Sequence, residues 1–424
     1  MLFVNFVIKM KQIICVIGLG YVGLPLAIEF AKHMKCIGFD VNETRVAELN
    51  SEKDSSREVS QDEMHKTTAE FTSNPEKIKE ADFVVIAVPT PINEKYDPDL
   101  DYVKKASIIV GKNLKHGAIV IYESTVWPGL TEEFCAPLLE KESGMQCGTD
   151  FKIAYSPERI NPGDKNHSLK KIVKVVSGMD TETTKKVVEL YEQIIDAGVH
   201  VTPNIKTAEA AKSIENIQRD LNIALVNELS KIFEKDGLDT EEVLNAAATK
   251  WNFHKYHPGL VGGHCIPIDP YYMVKRAKRV GYDSKVILAG RDLNNSMPEY
   301  LVELTEKALK EAGKEINRSK IAILGITFKE NVPDERNSGS KVLAEILKNK
   351  NAKVIEIDPV LGKGKFNDLE NIDVFIFAVP HNEFKEIGFT ELKEKSNDKP
   401  IIIDPRWLFK KEDAEKSGFI YKRL

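Results

Sequence analysis

The stretch Gln12-Ile13-Ile14-Cys15-Val16-Ile17-Gly18-Leu19-Gly20-Tyr21-Val22-Gly23 decides the fold. Residues 12–17 are short, apolar and largely β-branched, the pattern of a strand buried on both faces of a parallel sheet. The glycines follow at once, and residues 24–32 then have helical spacing. In that setting G-x-G-x-x-G is specific, because backbone N–H groups at a helix N-terminus meet a pyrophosphate. A tight turn without a ligand is the plainer reading, and the complete strand–turn–helix–strand context disfavours it. The second strand, 36–39, closes on Asp40, about 20 residues past the glycines, where a carboxylate accepts hydrogen bonds from an adenosine ribose. This favours NAD over NADP, while Arg45 stands where a 2′-phosphate would seek a cation.

Further buried strands read at 83–88, before Pro89-Thr90-Pro91, and at 119–122, before Glu123-Ser124-Thr125-Val126. Ligands of open α/β sheets lie outside the carboxyl ends of the strands, which places Thr90, Ser124 and Thr125 against cofactor or substrate. Residues 153–155 lead into Ser156-Pro157-Glu158-Arg159-Ile160-Asn161-Pro162-Gly163. There Glu158 and Arg159 are either functional or a surface ion pair of little consequence.

From Thr207 to about Asp236 the pattern is one long helix with Leu221, Leu225, Leu229 and Ile232 on an apolar stripe. Lys212, Asn216 and Arg219 share one face near its start. Such a face is usually solvated, but Ala208, Ala210 and Ala211 suggest tight packing. A second helical stretch covers about 284–312, interrupted by Arg291, Asn294 and Asn295. Between the two lies the irregular segment Pro258-Gly259-Leu260-Val261-Gly262-Gly263-His264-Cys265-Ile266-Pro267-Ile268-Asp269-Pro270. Its glycines let a ligand approach Cys265. Asp269 before Pro270 also suits a helix N-cap, Cys265 a small buried residue, and His264 a hydrogen-bonding spacer.

The last third repeats the first in outline. Strands at 320–324, 353–357, 374–379 and 401–403 end in Gly325, Asp358, Pro380 and Asp404. Gly325-Ile326-Thr327-Phe328-Lys329 replaces the glycine motif, so a second nucleotide held differently from NAD is expected, with Lys329, Asp334 and Arg336 at the ligand end. The fold class is α/β: two Rossmann-like doubly wound domains, 1–203 and 313–424, joined by a central helical region, 204–312.

A length of 424 residues requires more than one core. A hydrophobic content of 42%, 29% charged residues and a net charge of -5 exclude a disordered chain and give no reason to propose nucleic acid or an anionic membrane as partner. Cysteines at 15, 36, 135, 147 and 265 form no C-x-x-C pair and no zinc spacing, so no metal is expected and a reducing, cytoplasmic setting is. The apolar stretch 1–10 lacks a cleavage site, and Met10 is an alternative start.

Over nearly its full length the chain resembles the UDP-glucose/GDP-mannose dehydrogenase family. The motifs are GLGYVG at 18–23, ESTV at 123–126, SPERINPG at 156–163, Lys212 with Asn216, GLVGGHCIPID at 259–269 and GITFKENVPDERNS at 325–338. Thr249-Lys250-Trp251-Asn252-Phe253, the loop that follows and Glu158-Arg159-Ile160-Asn161 look like the branch acting on UDP-N-acetylhexosamines. Members acting on UDP-glucose tend to have Phe-Leu after the glutamate and a lysine before the aspartate, where this chain has Arg159-Ile160 and Ile268.

The resemblance implies oxidation of a sugar C6 alcohol to a carboxylate with two NAD in turn, for surface-polysaccharide precursors. It implies Cys265 as the nucleophile, Lys212 or an Asp269-held water as base, Lys212 and Asn216 at the oxyanion, and Thr125, Glu158 and Asp269 orienting water. Gly18, Gly20, Tyr21, Val22, Gly23, Asp40, Arg45, Thr90, Ser124, Thr125 and Arg336 are the expected cofactor residues. Glu158, Arg159, Ile160, Lys212, Asn216, Arg219, Gly262 and Lys329 are those expected at the UDP-sugar, and the long helix is expected to form a homodimer. UDP-glucose and UDP-N-acetylmannosamine are the alternative substrates. A two-electron hydroxy-acid dehydrogenase and a nucleotide-sensing scaffold are the competing functions, and neither requires Cys265.

Overall fold

The computed structural model describes residues 12–56, 58–160 and 168–424. The apolar stretch 1–10 with its alternative start, and Asn161, Pro162 and Gly163 of the polar loop, lie outside the described residues. Residues up to Ile214, with Tyr271–Val280, form one compact unit, and Glu215–Pro270 with Gly281–Leu424 form another. The expected central region is thus divided between the two.

The first unit holds β1 (Ile13–Ile17), β2 (Lys35–Phe39), β3 (Glu70–Thr72), β4 (Phe83–Ile86), β5 (Ile119–Tyr122), β6 (Lys152–Tyr155), β7 (Lys174–Gly178) and β8 (Val199–Val201). They lie in the order β3-β2-β1-β4-β5-β6-β7-β8, parallel except between β6 and β7. The order reverses between β1 and β4, the switch point where such sheets bind ligands. Ile14, Val16, Val85 and Ile121 pack here with Leu24, Leu26 and Phe30 of the helix Gly23–Ala31. Each such buried side chain contributes roughly 1.5–3 kcal/mol.

The second unit holds β9 (Lys320–Leu324), β10 (Lys353–Ile357), β11 (Ile372–Phe377), β12 (Ser396–Asp404) and β13 (Ile420–Arg423), all parallel, in the order β10-β9-β11-β12-β13. Its switch point lies between β9 and β11. The two sheets repeat one turn in atomic detail. Gly18 N–H donates to Phe39 O (2.8 Å) and Leu19 N–H to Asp40 Oδ2 (2.8 Å). In the second sheet Gly325 N–H donates to Ile357 O (2.9 Å) and Ile326 N–H to Asp358 Oδ2 (2.7 Å). Gly18 and Gly325 have φ of +91° and +92°, left-handed backbone that favours glycine.

The long helix runs Ile205–Asp236. Its inward face is not the leucine stripe: Leu225 and Ile232 are about half exposed, at 54% and 51%, while Asn216, Asp220 and Asn227 are buried. Hydrogen bonding explains the inversion. In the second unit Asp220 accepts from Arg291 Nη1 (2.5 Å) and Asn294 Nδ2 (2.8 Å), and Asn294 Oδ1 accepts from Asn227 Nδ2 (2.9 Å). Arg291 and Asn294, which seemed to interrupt the second helical stretch, are therefore its buried contacts. That stretch is two helices, Val286–Asn295 and Met297–Ala312. Pro298 lacks an N–H and would clash with the carbonyl four residues back, which breaks the first at Ser296.

Candidate functional site

In the first unit the glycine motif makes a cradle at the start of the helix Gly23–Ala31. A methyl group on Gly18 would lie 2.8 Å from Ala87 O and one on Gly23 1.7 Å from Gly18 O, so both are fixed by packing. One on Gly20 meets nothing within 4 Å, leaving the open approach that a pyrophosphate requires. Asp40 closes β2 and accepts from Leu19 N (2.8 Å) and Asn42 N (2.9 Å), with lone pairs left for ribose hydroxyls. Arg45 is engaged: Nε donates to Leu19 O (3.1 Å), Nη1 to Glu48 (3.2 Å) and Nη2 to Asp54 (2.7 Å). Burial acts to raise Asp54, but Ser56, the Val59 N–H and Arg45 hold it below its usual value. Two carboxylates thus neutralise the cation a 2′-phosphate would need, which agrees with NAD.

Tyr21, Val22, Thr90 and Thr125 sit in the turns after β1, β4 and β5. Ser124 is different. Its buried hydroxyl accepts from Val88 N (3.0 Å) and donates to Val88 O (2.7 Å), clasping the turn that carries Thr90. Glu158 Oε1 accepts from Arg159 N (2.5 Å) and Ile160 N (2.6 Å), and Arg159 Nη1 donates to Val173 O (2.8 Å). Lys212 is buried on the long helix, one turn before Asn216.

In the second unit the thiol segment is tied at several points. Asn227 clamps the main chain of Gly259, donating to its O (3.1 Å) and accepting from its N (2.8 Å). Gly262 and Gly263 pass against the segment after β9, where a methyl group would lie 2.7 Å from Asn337 O and from the Phe328 ring, respectively. His264 Nε2 meets Asp334 Oδ2 at 2.8 Å, and Arg336 Nε and Nη2 donate to the same carboxylate at 3.0 and 2.8 Å. Burial acts to raise Asp334, but His264 and Arg336 hold it well below the usual carboxylate range.

Cys265 is half-buried and opens the turn before the helix Asp269–Arg279, its O accepting from Asp269 N (2.9 Å). The Asp269 carboxylate is buried and accepts from Asn216 Nδ2 (2.5 Å), while Asn216 Oδ1 accepts from Arg219 Nη1 (3.0 Å). Capping alone does not account for that contact. Cys15, Cys36 and Cys135 are buried, with burial pushing Cys36 to about 12 and the other two up as well, and it lifts half-buried Cys147 to about 11.

A cleft opens at the switch point of the second sheet, lined by Leu260, Gly262, Phe328, Lys329, Ser338 and Arg406 among others. Gly262 and Lys329 were expected there. Arg406 was not, although its place just after β12, in Asp404-Pro405-Arg406, repeats the logic that selected Thr90. Leu260 and Gly262 of the cleft wall belong to the same short loop as Cys265.

Fold and site together define a dinucleotide-dependent oxidoreductase with a second nucleotide fold and a thiol. Family models match in order: the UDP-glucose/GDP-mannose dehydrogenase family NAD binding domain at 12–195, its central domain at 206–296 and its UDP binding domain at 322–411. The chain is 49% identical over 388 residues to Protein CapL of Staphylococcus aureus, covering 89% of this chain and 92% of that one. It is 46% identical over 414 residues to UDP-N-acetyl-D-glucosamine 6-dehydrogenase of Salmonella typhi, covering 95% and 97%. The solved structure of a UDP-D-ManNAc dehydrogenase from Pyrococcus horikoshii matches with a TM-score of 0.90 at 32% identity, covering 97% of this chain and 99% of that one. The chain belongs to the UDP-glucose/GDP-mannose dehydrogenase family, and its activity is that of an NAD-dependent nucleotide-sugar 6-dehydrogenase. Among the described residues, no helix is long and apolar enough to cross a membrane.

Proposed function

We propose that the substrate is a UDP-N-acetylhexosamine, UDP-N-acetylglucosamine or UDP-N-acetylgalactosamine, oxidised at C6 from alcohol to carboxylate through a covalent adduct on Cys265. The observation that carries this is a half-buried thiol one turn from a carboxylate held by Asn216, in the loop that lines the nucleotide cleft. The Salmonella relative, whose name specifies UDP-N-acetyl-D-glucosamine, supports the acetamido sugar. The Pyrococcus protein keeps UDP-N-acetylmannosamine as a second reading, at lower identity.

Gly18, Gly20, Tyr21, Val22, Gly23, Asp40, Thr90 and Thr125 hold NAD, Arg45 and Ser124 shape its site, and NAD when bound supplies the hydride acceptor. Lys212, or a water held by Asp269, takes the alcohol proton. Cys265 Sγ then bonds to the aldehyde carbon, and the thiohemiacetal keeps its C6 hydrogen for the second oxidation, which leaves a thioester. Lys212 and Asn216 stabilise the oxyanion, and Thr125, Glu158 and Asp269 orient the hydrolytic water. Arg159, Ile160, Arg219, Gly262 and Lys329 face the UDP-sugar, and Arg336 acts through Asp334. We assign NAD to 1–203, dimerisation and catalysis to 204–312 and the UDP-sugar to 313–424, with a cytoplasmic setting and a product used in surface polysaccharide.

NADH released per sugar consumed tests this with UDP-N-acetylglucosamine, UDP-N-acetylgalactosamine and UDP-glucose in parallel. Two NADH per N-acetylhexosamine and little from UDP-glucose are expected. One NADH per sugar, or double oxidation surviving in Cys265→Ala, sinks the thiol mechanism.

A further inference from the structure

We propose that Lys174, which no sequence motif singled out, is a positioning residue that holds Glu158 for hydrolysis of the thioester. This rests on the reading of Glu158 as the group that orients the attacking water. Lys174 opens β7 with its side chain 3% exposed, in the first unit. Its Nζ lies 2.9 Å from Glu123 Oε2 and 3.6 Å from Glu158 Oε2. It also lies 5.1 Å from the centroid of the Tyr191 ring, whose hydroxyl donates to Glu123 Oε1. Strands β5, β6 and β7 and the helix Thr181–Tyr191 thus bring one ammonium to two carboxylates.

The two oxygens of Glu158 are treated differently. Oε1 is held by the N–H groups of Arg159 and Ile160. Oε2 is buried without a hydrogen bond, and among the described residues Lys174 is the cation facing it. Glu123 is satisfied on both sides, by Tyr191 and by Lys174, and burial acts first to raise its pKa. A buried carboxylate without its cation turns toward water or takes up a proton. Lys174 therefore holds the Glu158 carboxylate in place. In that step the water oxygen bonds to C6 and the C6–S bond breaks, its electron pair leaving on Sγ. One water proton passes to Glu158 and the other to Sγ, leaving the sugar carboxylate, the thiol and a protonated Glu158.

The test uses the full-length enzyme with NAD and UDP-N-acetylglucosamine, stopped-flow NADH formation and intact mass at steady state. Lys174→Met is expected to keep the first NADH burst and both KM values while steady-state kcat falls by about 10- to 100-fold and a sugar-nucleotide adduct accumulates on Cys265. Lys174→Arg is expected to restore turnover, which a merely space-filling role would not require. Should Lys174→Met fail to fold, Tyr191→Phe replaces it: Glu123, without its tyrosine donor, then competes harder for Lys174, and the same step slows by about threefold or more. Hydrolysis at the wild-type rate without adduct, or equal slowing of burst and hydrolysis, overturns the role of Lys174. Glu158→Gln separates the two readings. An adduct there but not in Lys174→Met removes Lys174 alone, and no adduct in Glu158→Gln removes the water-orienting role itself.

Discussion

Gly20 and Gly23 stand three residues apart in one motif, yet alanine should act on them in opposite ways. The methyl at Gly20 meets no protein atom within 4 Å, so Gly20→Ala should melt within about 1 °C of wild type. It should raise KM for NAD about tenfold or more, because the methyl enters the approach to the pyrophosphate. The methyl at Gly23 would lie 1.7 Å from Gly18 O, so Gly23→Ala should cost at least about 1–3 kcal/mol or not fold. Thermal melts beside NAD kinetics check both. The motif's presence was legible from spacing alone, but the packing of Gly18 against Ala87 O, in the turn after β4, was not. Ser124 makes the same point. Its position at the cofactor end was readable, whereas its bond to Val88, 36 residues away, arises from chain folded back from elsewhere.

The long helix is tied to the segment after Thr125 by Glu209, a wholly buried residue whose carboxylate accepts from Gly129 N (2.5 Å) and Thr131 N (3.0 Å). Burial outweighs those bonds and pushes Glu209 up to about 7 from 4.5. The folded state therefore holds this proton to higher pH than the unfolded chain. Its contribution is fullest below about 4.5, falls as pH rises toward about 7 and is flat beyond. Glu209→Gln cannot ionise, so wild type should lose about 1–3 kcal/mol relative to it between pH 4.5 and 8. Melts across that range check this, and parallel curves would remove the account. Helix existence here followed from periodicity, but the inward face did not. The apolar stripe was legible, but not that Leu225 and Ile232 stay exposed while Asp220 and Asn227 are buried, satisfied by Arg291, Asn294 and Gly259.

At the scale of the whole molecule, the two sheets should respond to different nucleotides. NAD should slow hydrogen exchange at 18–23 and 87–90, and UDP alone at 260–263, 327–330 and 338–340. Each should add about 2.7 kcal/mol of stability at a hundredfold excess over its Kd. Protection of both sets by either nucleotide would contradict the assignment. The homodimer that the resemblance implies would cover the leucine face, where Leu221, Leu225, Val286 and Leu293 line an open groove along the helices Ile205–Asp236 and Val286–Asn295. Leu225→Asp with Ile232→Asp should then lower the mass seen in sedimentation from dimer to monomer. An unchanged mass would reject this face.

By itself the sequence determined two largely parallel sheets, the glycine turn that opens the first, the carboxylates closing β2 and β10, and the thiol loop. These depend on local period and on residue types that few backbone geometries accept, and local patterns survive in one dimension. The short strands β3, β7, β8 and β13 escaped it, as did Arg406 at the cleft and the ammonium of Lys174 between Glu123 and Glu158. Only the tertiary structure decided those, because a buried charge is meaningful through its partners. Lys174 finds one of its two partners 51 residues away in the chain.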